Sequence, residues 1–316
     1  MSYAIEVVDL VLERHGPPVY VRHEIVHNRH VVDKLRAQGA RFVEDLSGVP
    51  AGSLLIFSAH GVAPAVREEA RARRLHVIDA TCPLVTKVHL EALRYAREGY
   101  EILLIGHRGH VEVAGTLGHA PDRMHLVENV ADVERAHVRD PDRVAVVTQT
   151  TLSVDDTREI IGAIRRRFPK VCTPRKDDIC YATQNRQTAV KKLARQSDLV
   201  LVIGSPTSSN ANRLVEVAKN EGTSARLIED AGDIDVSWLT DARVVGLTAG
   251  ASTPESLVQQ TVTRLQALGF LEVRDLCTAE ENVTFPLPRE LRTDRHAPAT
   301  NLARGDTGTV SRNPPR

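Results

Sequence analysis

Two cysteines stand where a thiol is useful for chemistry. His76-Val-Ile-Asp79 is a short apolar run, Cys82 follows three residues on, and Pro83 occupies a first helical position ahead of Leu84, Val85, Val88, Ala92 and Leu93 at helical spacing. Cys82 is therefore predicted to open a helix. The unpaired N–H groups and positive dipole end there favour a thiolate, as metal-binding or redox cysteines require. Taken singly, such a cysteine is equally a small buried core residue. Asp177-Asp-Ile-Cys180 repeats the Asp-x-x-Cys spacing, again ahead of a helical pattern (Ala189, Val190, Leu193, Ala194). Counting 24 residues on from each cysteine leads to Gly106 and to Gly204, each closing an apolar strand. His110 and Ser208 follow four residues later, and Glu112 and Asn210 six later.

The elements that position these residues recur too. Strands Leu54–Phe57, Val144–Val147 and Val244–Leu247 end in Ser58-Ala-His60-Gly61, Thr148-Gln-Thr150-Thr151 and Thr248-Ala-Gly-Ala-Ser252, and each leads to a helix. A helix over 4–14 and the strand Val19–Val21 precede His27, which takes the place of His110 and Ser208 in a third copy whose first part is missing. By the same arithmetic a further helix start of the Asp-x-x-Cys kind belongs just upstream of Met1. Strands alternating with helices predict an α/β fold of parallel, doubly covered sheets in three related lobes. The boundaries read from the repeat are 1–83, 84–180 and 181–276, then a closing segment 277–291 and a disordered tail 292–316 rich in Pro, Arg, Thr, Asn and Gly.

Composition limits the function classes. The 316 residues are 42% hydrophobic, enough for real cores, and 41 Lys and Arg balance 41 Asp and Glu, which gives no reason to expect nucleic acid or an acidic membrane as partner. No apolar run reaches the length of a membrane span and no signal peptide opens the chain, so a cytoplasmic location is expected. Four cysteines in such a chain are no disulfide framework. Ligands of open parallel sheets sit at the carboxyl ends of strands, where the polar residues collect: His27, His60, His110 with Glu112, Thr150, Ser208, Ser209, Asn210 and Ser252. Each has a plain alternative: a satisfied structural histidine, a surface glutamate, a helix cap. Their recurrence at equivalent positions of three units favours one shared site.

Six blocks, Tyr20-Val-Arg-His-Glu-Ile-Val-His-Asn28, Ser58-Ala-His-Gly61, Asp79-Ala-Thr-Cys-Pro-Leu-Val-Thr-Lys87, Thr148-Gln-Thr-Thr-Leu-Ser153, Asp177-Asp-Ile-Cys-Tyr-Ala-Thr183 and Thr248-Ala-Gly-Ala-Ser252, closely resemble the 4-hydroxy-3-methylbut-2-enyl diphosphate reductases of the methylerythritol phosphate route to isoprenoids. The resemblance runs from Ala4 to about Pro288. It implies three pseudo-threefold-related lobes around a central [4Fe–4S] cluster, with the first lobe lacking its N-terminal strand, and the reductive removal of an allylic hydroxyl as water to give isopentenyl and dimethylallyl diphosphates. By motif, Cys82 and Cys180 match cluster ligands. His27, His60, His110, Thr150, Ser208, Ser209, Asn210 and Ser252 match substrate contacts, and Glu112, with Thr150, matches the proton path. A ferredoxin or flavodoxin is the implied electron donor.

The sequence departs from that pattern in places. The family's first cysteine lies in an Arg-Gly-Phe/Tyr-Cys-Ala-Gly segment that this sequence lacks, and the expectation is that the natural start lies upstream of Met1. Asp275-Leu-Cys277 offers another thiol by the repeat, and Cys172 is read as packing within a strand. Thr278-Ala279 stand where the family has Gly-Arg before Glu-Glu-Asn. The competing readings are a cluster-free diphosphate-binding or regulatory paralogue and, with less support, a zinc site. A dinucleotide enzyme fails for want of a G-x-G-x-x-G after the first strand.

Overall fold

The computed structural model describes residues 2–174, 177–279 and 283–292. Of the tail expected over 292–316, residues 293–316 lie outside the described residues, as does Glu280-Glu-Asn282.

Three parallel sheets share one plan. In the first, β1 (Val19–Arg22) lies between β2 (Ala40–Val43) and β3 (Leu54–Phe57), and β4 (His76–Asp79) adds to β3. In the second, β5 (Glu101–Ile105) lies between β6 (Met124–Val127) and β7 (Val144–Thr148). In the third, β8 (Leu199–Ile203) lies between β9 (Ser224–Ile228) and β10 (Val245–Ala249). Every pairing is parallel. The first strand of each unit is thus central, and the next two flank it on opposite sides. A shared order of this kind is what the sequence repeat requires.

The helices complete the lobes: α1 (Ser2–His15), α2 (Arg29–Ala37), α3 (Pro64–Ala72), α4 (Pro83–Arg97), α5 (Val111–Leu117), α6 (Val130–Arg135), α7 (Val154–Arg167), α8 (Tyr181–Ala194), α9 (Ser209–Asn220) and α10 (Glu255–Ala267). Side chains alternate across a strand, so β5 sends Ile102 and Leu104 to the α4 side, where Val88, Ala92 and Tyr95 wait. Leu103 and Ile105 go to the opposite layer against Ile160, Ala163 and Ile164 of α7. β8 is divided alike: Val200 and Val202 pack with Val190 and Leu214, and Leu201 and Ile203 with Leu257 and Leu265. This double cover explains why the central strands read as unbroken apolar runs. Among the described residues no helix is long and apolar enough to cross a membrane.

Two expectations need correction. Cys172 is not in a strand: its backbone makes one isolated bridge to Ala145 of β7, and its thiol lies 3.6 Å from the Tyr95 hydroxyl. Pro174 follows closely and has no N–H with which to extend a ladder. Cys277 follows no strand at all; it is exposed on an irregular segment after α10. The chain then returns to the first lobe, where Leu291 is buried among the residues of α1 and its carbonyl accepts from Arg14 Nη1 at 2.8 Å.

Candidate active site

The carboxyl ends of the strands bring the three lobes into contact. After β1 the chain turns through His27 to Asn28, whose side chain caps α2 by accepting the Val31 N–H at 3.1 Å. After β3 it places His60 on a loop that Gly61 reverses at φ +74°. After β5, His110 caps α5, its Nδ1 accepting the Glu112 N–H at 3.2 Å. The three imidazoles form one cluster. Ring centroids lie 4.4 Å apart for His27 and His60, 5.5 Å for His27 and His110, and 5.9 Å for His60 and His110. The third lobe joins through Ser252 Oγ, which donates to the His27 carbonyl at 3.1 Å. The second and third meet where Thr151 Oγ1 donates to Ser209 Oγ at 3.1 Å and Gln149 Nε2 to the same oxygen at 3.3 Å.

Burial holds these imidazoles neutral. It lowers His60 well below the usual histidine range, helped by the neighbouring His27 and His110, and brings His110 to about 4. His27 is lowered by the same desolvation against the pull of Glu24. Ser58 Oγ lies 3.2 Å from His60 Nδ1. His27 Nδ1 lies 3.5 Å from Glu24 Oε2, and the buried Nε2 has no hydrogen-bond partner among the described residues. Such an orphaned nitrogen, when it carries the ring proton, is what a ligand's oxygen would satisfy.

Glu112, 3% exposed, is fastened at both carboxyl oxygens: the Thr150 N–H donates to Oε1 at 2.6 Å and Thr150 Oγ1 to Oε2 at 3.0 Å. Burial nevertheless raises it to about 7, the two Thr150 bonds opposing and Asp178 reinforcing the shift. A carboxyl of that kind holds or releases a proton near neutrality.

The cysteines occupy the two predicted helix starts. Cys82 is the N-cap of α4 and Cys180 of α8. They lie within electrostatic reach of one another, and both feel Glu112. Cys180 Sγ accepts the Thr183 N–H at 3.3 Å and lies 2.9 Å from Thr183 Oγ1; Asn210 Nδ2 reaches the same hydroxyl at 3.5 Å. The expected preference for thiolate is opposed by burial. Burial raises both thiols, outweighing the Leu84 and Val85 N–H groups at Cys82 and the Thr183 contacts at Cys180. A bound cation is the missing term that would deprotonate them.

The remaining candidates divide their bonds between architecture and site. Ser208 Oγ caps α9 by accepting the Ala211 N–H at 3.3 Å. Asn210 Oδ1 accepts the Ala251 N–H at 2.9 Å, which ties α9 to the loop bearing Ser252. Reasoning on the sequence assigned no role to Gln149, Thr183, Lys87 or Asp178, all of which join this network. All four fall inside or beside the recognised blocks. Their long-range partners lie 27 to 91 residues away in the chain, so only the fold reveals them.

The LytB protein family model matches residues 1–266. The 4-hydroxy-3-methylbut-2-enyl diphosphate reductase of Azoarcus sp. (strain BH72) is 57% identical over 292 residues, covering 92% of this chain and 94% of the relative. The protein of the same name from Mycolicibacterium paratuberculosis is 58% identical over 293 residues, 92% of this chain and 88% of the relative. Among solved structures, the E-1-hydroxy-2-methyl-but-2-enyl-4-diphosphate reductase from Plasmodium falciparum superposes with a TM-score of 0.89 at 44% identity over 92% of both chains. A second, described as the terminal enzyme of the non-mevalonate pathway, gives 0.60 at 34% identity over 84% of this chain and 94% of that one.

Proposed function

Because the chain belongs to the LytB family of 4-hydroxy-3-methylbut-2-enyl diphosphate reductases, and is thus an oxidoreductase of isoprenoid biosynthesis, we propose that the strand-end cluster is its active site. The substrate is (E)-4-hydroxy-3-methylbut-2-enyl diphosphate. Two electrons and two protons enter; the allylic C–O bond breaks, the oxygen leaves as water, and a new C–H bond gives isopentenyl or dimethylallyl diphosphate. The observation that carries this reading is Glu112: an enclosed carboxyl poised near neutrality, whose N–H donates to His110 and whose charge reaches both thiols.

The donor set suits an iron–sulfur cluster. Two sulfurs stand at helix starts, and one already accepts a backbone N–H bond. Cys82 and Cys180 would hold the [4Fe–4S] group, as part of its ligand set; among the described residues no group of three metal-ligating side chains forms. When bound, the cluster supplies the electrons and a Lewis-acidic iron for the hydroxyl.

The protein's own residues do the rest. His27, His60 and His110 present N–H groups to the diphosphate without the desolvation cost of a buried cation, and Ser208, Ser209, Asn210 and Ser252 add neutral donors from the third lobe. Glu112 gives its proton to the departing oxygen, and Thr150 fixes both carboxyl oxygens so that the proton is delivered in one direction. A ferredoxin- or flavodoxin-type donor in the cytoplasm supplies the electrons.

The test is anaerobic purification with iron and acid-labile sulfide analysis, followed by an assay of the diphosphate substrate against a reduced viologen. Iron and sulfide in equal amounts with substrate-dependent viologen oxidation is the expected result. Protein that binds the substrate yet holds neither element would overturn the redox reading.

A further inference from the structure

Lys87 and Asp178 meet between the two cysteine-led helices. The Asp178 side chain is wholly enclosed (0% exposed), and its Oδ1 lies 2.9 Å from Lys87 Nζ. Its other oxygen accepts the Thr148 N–H at 3.0 Å. Lys87 Nζ donates to the Asp177 carbonyl at 3.3 Å as well, and Glu91 of its own helix lies 3.8 Å away.

Each end of this contact is a short covalent step from the proposed chemistry. Lys87 sits within the first two turns of the helix that Cys82 caps. Asp178 is two residues before Cys180, whose N–H donates to the Thr150 carbonyl at 2.9 Å. Thr148 is two residues before Thr150, which holds Glu112. One side chain therefore ties the Cys82 helix, the Cys180 loop and the strand end that bears the proton donor's partner. The loop needs such a tie, because among the described residues the nearest backbone pairing on its N-terminal side is the single bridge at Cys172.

We propose that Lys87 and Asp178 form a positioning pair that sets the spacing of the Cys82 and Cys180 sulfurs and the placement of Thr150 on Glu112. This rests on the reading of both cysteines as cluster ligands. A buried ion pair adds little net stability, but its geometry is stringent, since removal of one partner strands the other charge. Lys87→Met removes the ammonium that joins Asp178 Oδ1 and the Asp177 carbonyl, and the loop loses its tie to the Cys82 helix. Asp178→Asn is milder: the amide oxygen still accepts from Thr148, and Lys87, 30% exposed, can turn outward. Lys87→Met/Asp178→Asn puts a neutral amide where the single variant leaves a carboxyl without its cation, and recovers part of the loss.

Full-length parent and the three variants are purified anaerobically and compared by amide hydrogen exchange, by iron release to a chelator, and by kcat and KM. In Lys87→Met the Thr148 and Cys180 amides exchange about tenfold faster, iron leaves about tenfold faster and kcat falls about tenfold, while KM moves less than about threefold. Asp178→Asn shifts the same quantities in the same direction by about threefold, and serves alone if Lys87→Met does not fold. The double variant lies between the parent and Lys87→Met. Exchange, iron release and kcat within twofold of the parent in the variants that fold, or a loss confined to KM, would overturn the proposal. A parent without iron and sulfide defeats the cluster reading instead, and exchange at Thr148 and Cys180 then still decides whether the pair holds the loop.

Discussion

The helices that begin at Cys82 and Cys180 arrive at the same cap by different means. Cys82 is delivered by a strand: β4 registers on β3 from Leu54 opposite His76 to Phe57 opposite Asp79. Asp79 then accepts the Thr81 N–H at 3.0 Å and Arg67 at 2.6 Å, and the Cys82 N–H donates to the Ala59 carbonyl at 3.0 Å. Cys180 has no such ladder. Its approach is one bridge at Cys172, and the work of four paired residues falls to an enclosed aspartate and the lysine that neutralises it. The difference shows how a repeat diverges: when one copy loses backbone pairing, side-chain electrostatics takes over the placement, and the copy becomes sensitive to single charges.

The harshest way to break the comparison removes the sulfurs themselves. Cys82→Ser and Cys180→Ser should each lower kcat by more than the roughly 100-fold typical of losing an outer partner, with iron content falling alongside. Equal iron in either variant and in the parent would remove that cysteine from the ligand set. The two apoproteins should still differ: mild heating should open the 177–183 loop to proteolysis before it touches the strand-anchored 79–85 segment.

Glu112 is the next target. Glu112→Gln keeps an acceptor for the Thr150 N–H but has no acidic proton, and kcat should fall by roughly 10²- to 10⁴-fold with little change in KM. Its pH dependence carries a definite sign. A carboxyl raised by burial from 4.5 to about 7 contributes stability that is complete below the unfolded value and is lost as pH rises through the folded value. Parent stability should therefore drop relative to Glu112→Gln between about pH 4.5 and 7, by on the order of 3 kcal/mol in denaturant titrations. The parent's kcat should decline above about 7, where the acid form disappears. A difference between parent and variant that is flat with pH would place the proton elsewhere.

Much of this architecture was legible because its physics is local. Strands buried on both faces must be apolar throughout, so Leu199–Ile203 was readable to the residue. Pro83 marked one cysteine helix and the spacing of the repeat marked the other. The supporting contacts were hidden by the same regularity. The Asp-x-x-Cys spacing selects Asp79 and Asp177, yet Asp177 is exposed and its neighbour Asp178 points inward; two adjacent aspartates cannot be told apart by period. The direction of the thiol shifts was hidden as well, because the helix end that lowers them is in the sequence, whereas the burial that raises them is a property of the folded chain. Cys277 looked equivalent by spacing, but no strand precedes it and its thiol remains exposed, so Cys277→Ser should leave iron content unchanged.

The smallest expected effect separates the two caps at one atom. Three residues after each cysteine stand Val85 and Thr183, both buried, and only Thr183 brings a hydroxyl to its sulfur, at 2.9 Å. Thr183→Val brings the second cap closer to the first: the backbone N–H bond to Cys180 Sγ, which Cys82 lacks, persists, while the hydroxyl contact and the partner of Asn210 Nδ2 are lost. Hydrogen bonds to a ligating sulfur withdraw electron density and ease reduction, so their removal should shift the midpoint potential of the loaded protein to more negative values. The fold should change little, since the two side chains have nearly the same shape and the deleted hydroxyl contacts are worth about 1 kcal/mol each. Redox titration followed by electron paramagnetic resonance reads the shift directly. A potential unchanged in Thr183→Val would mean that the Thr183 hydroxyl does not tune the sulfur beside it.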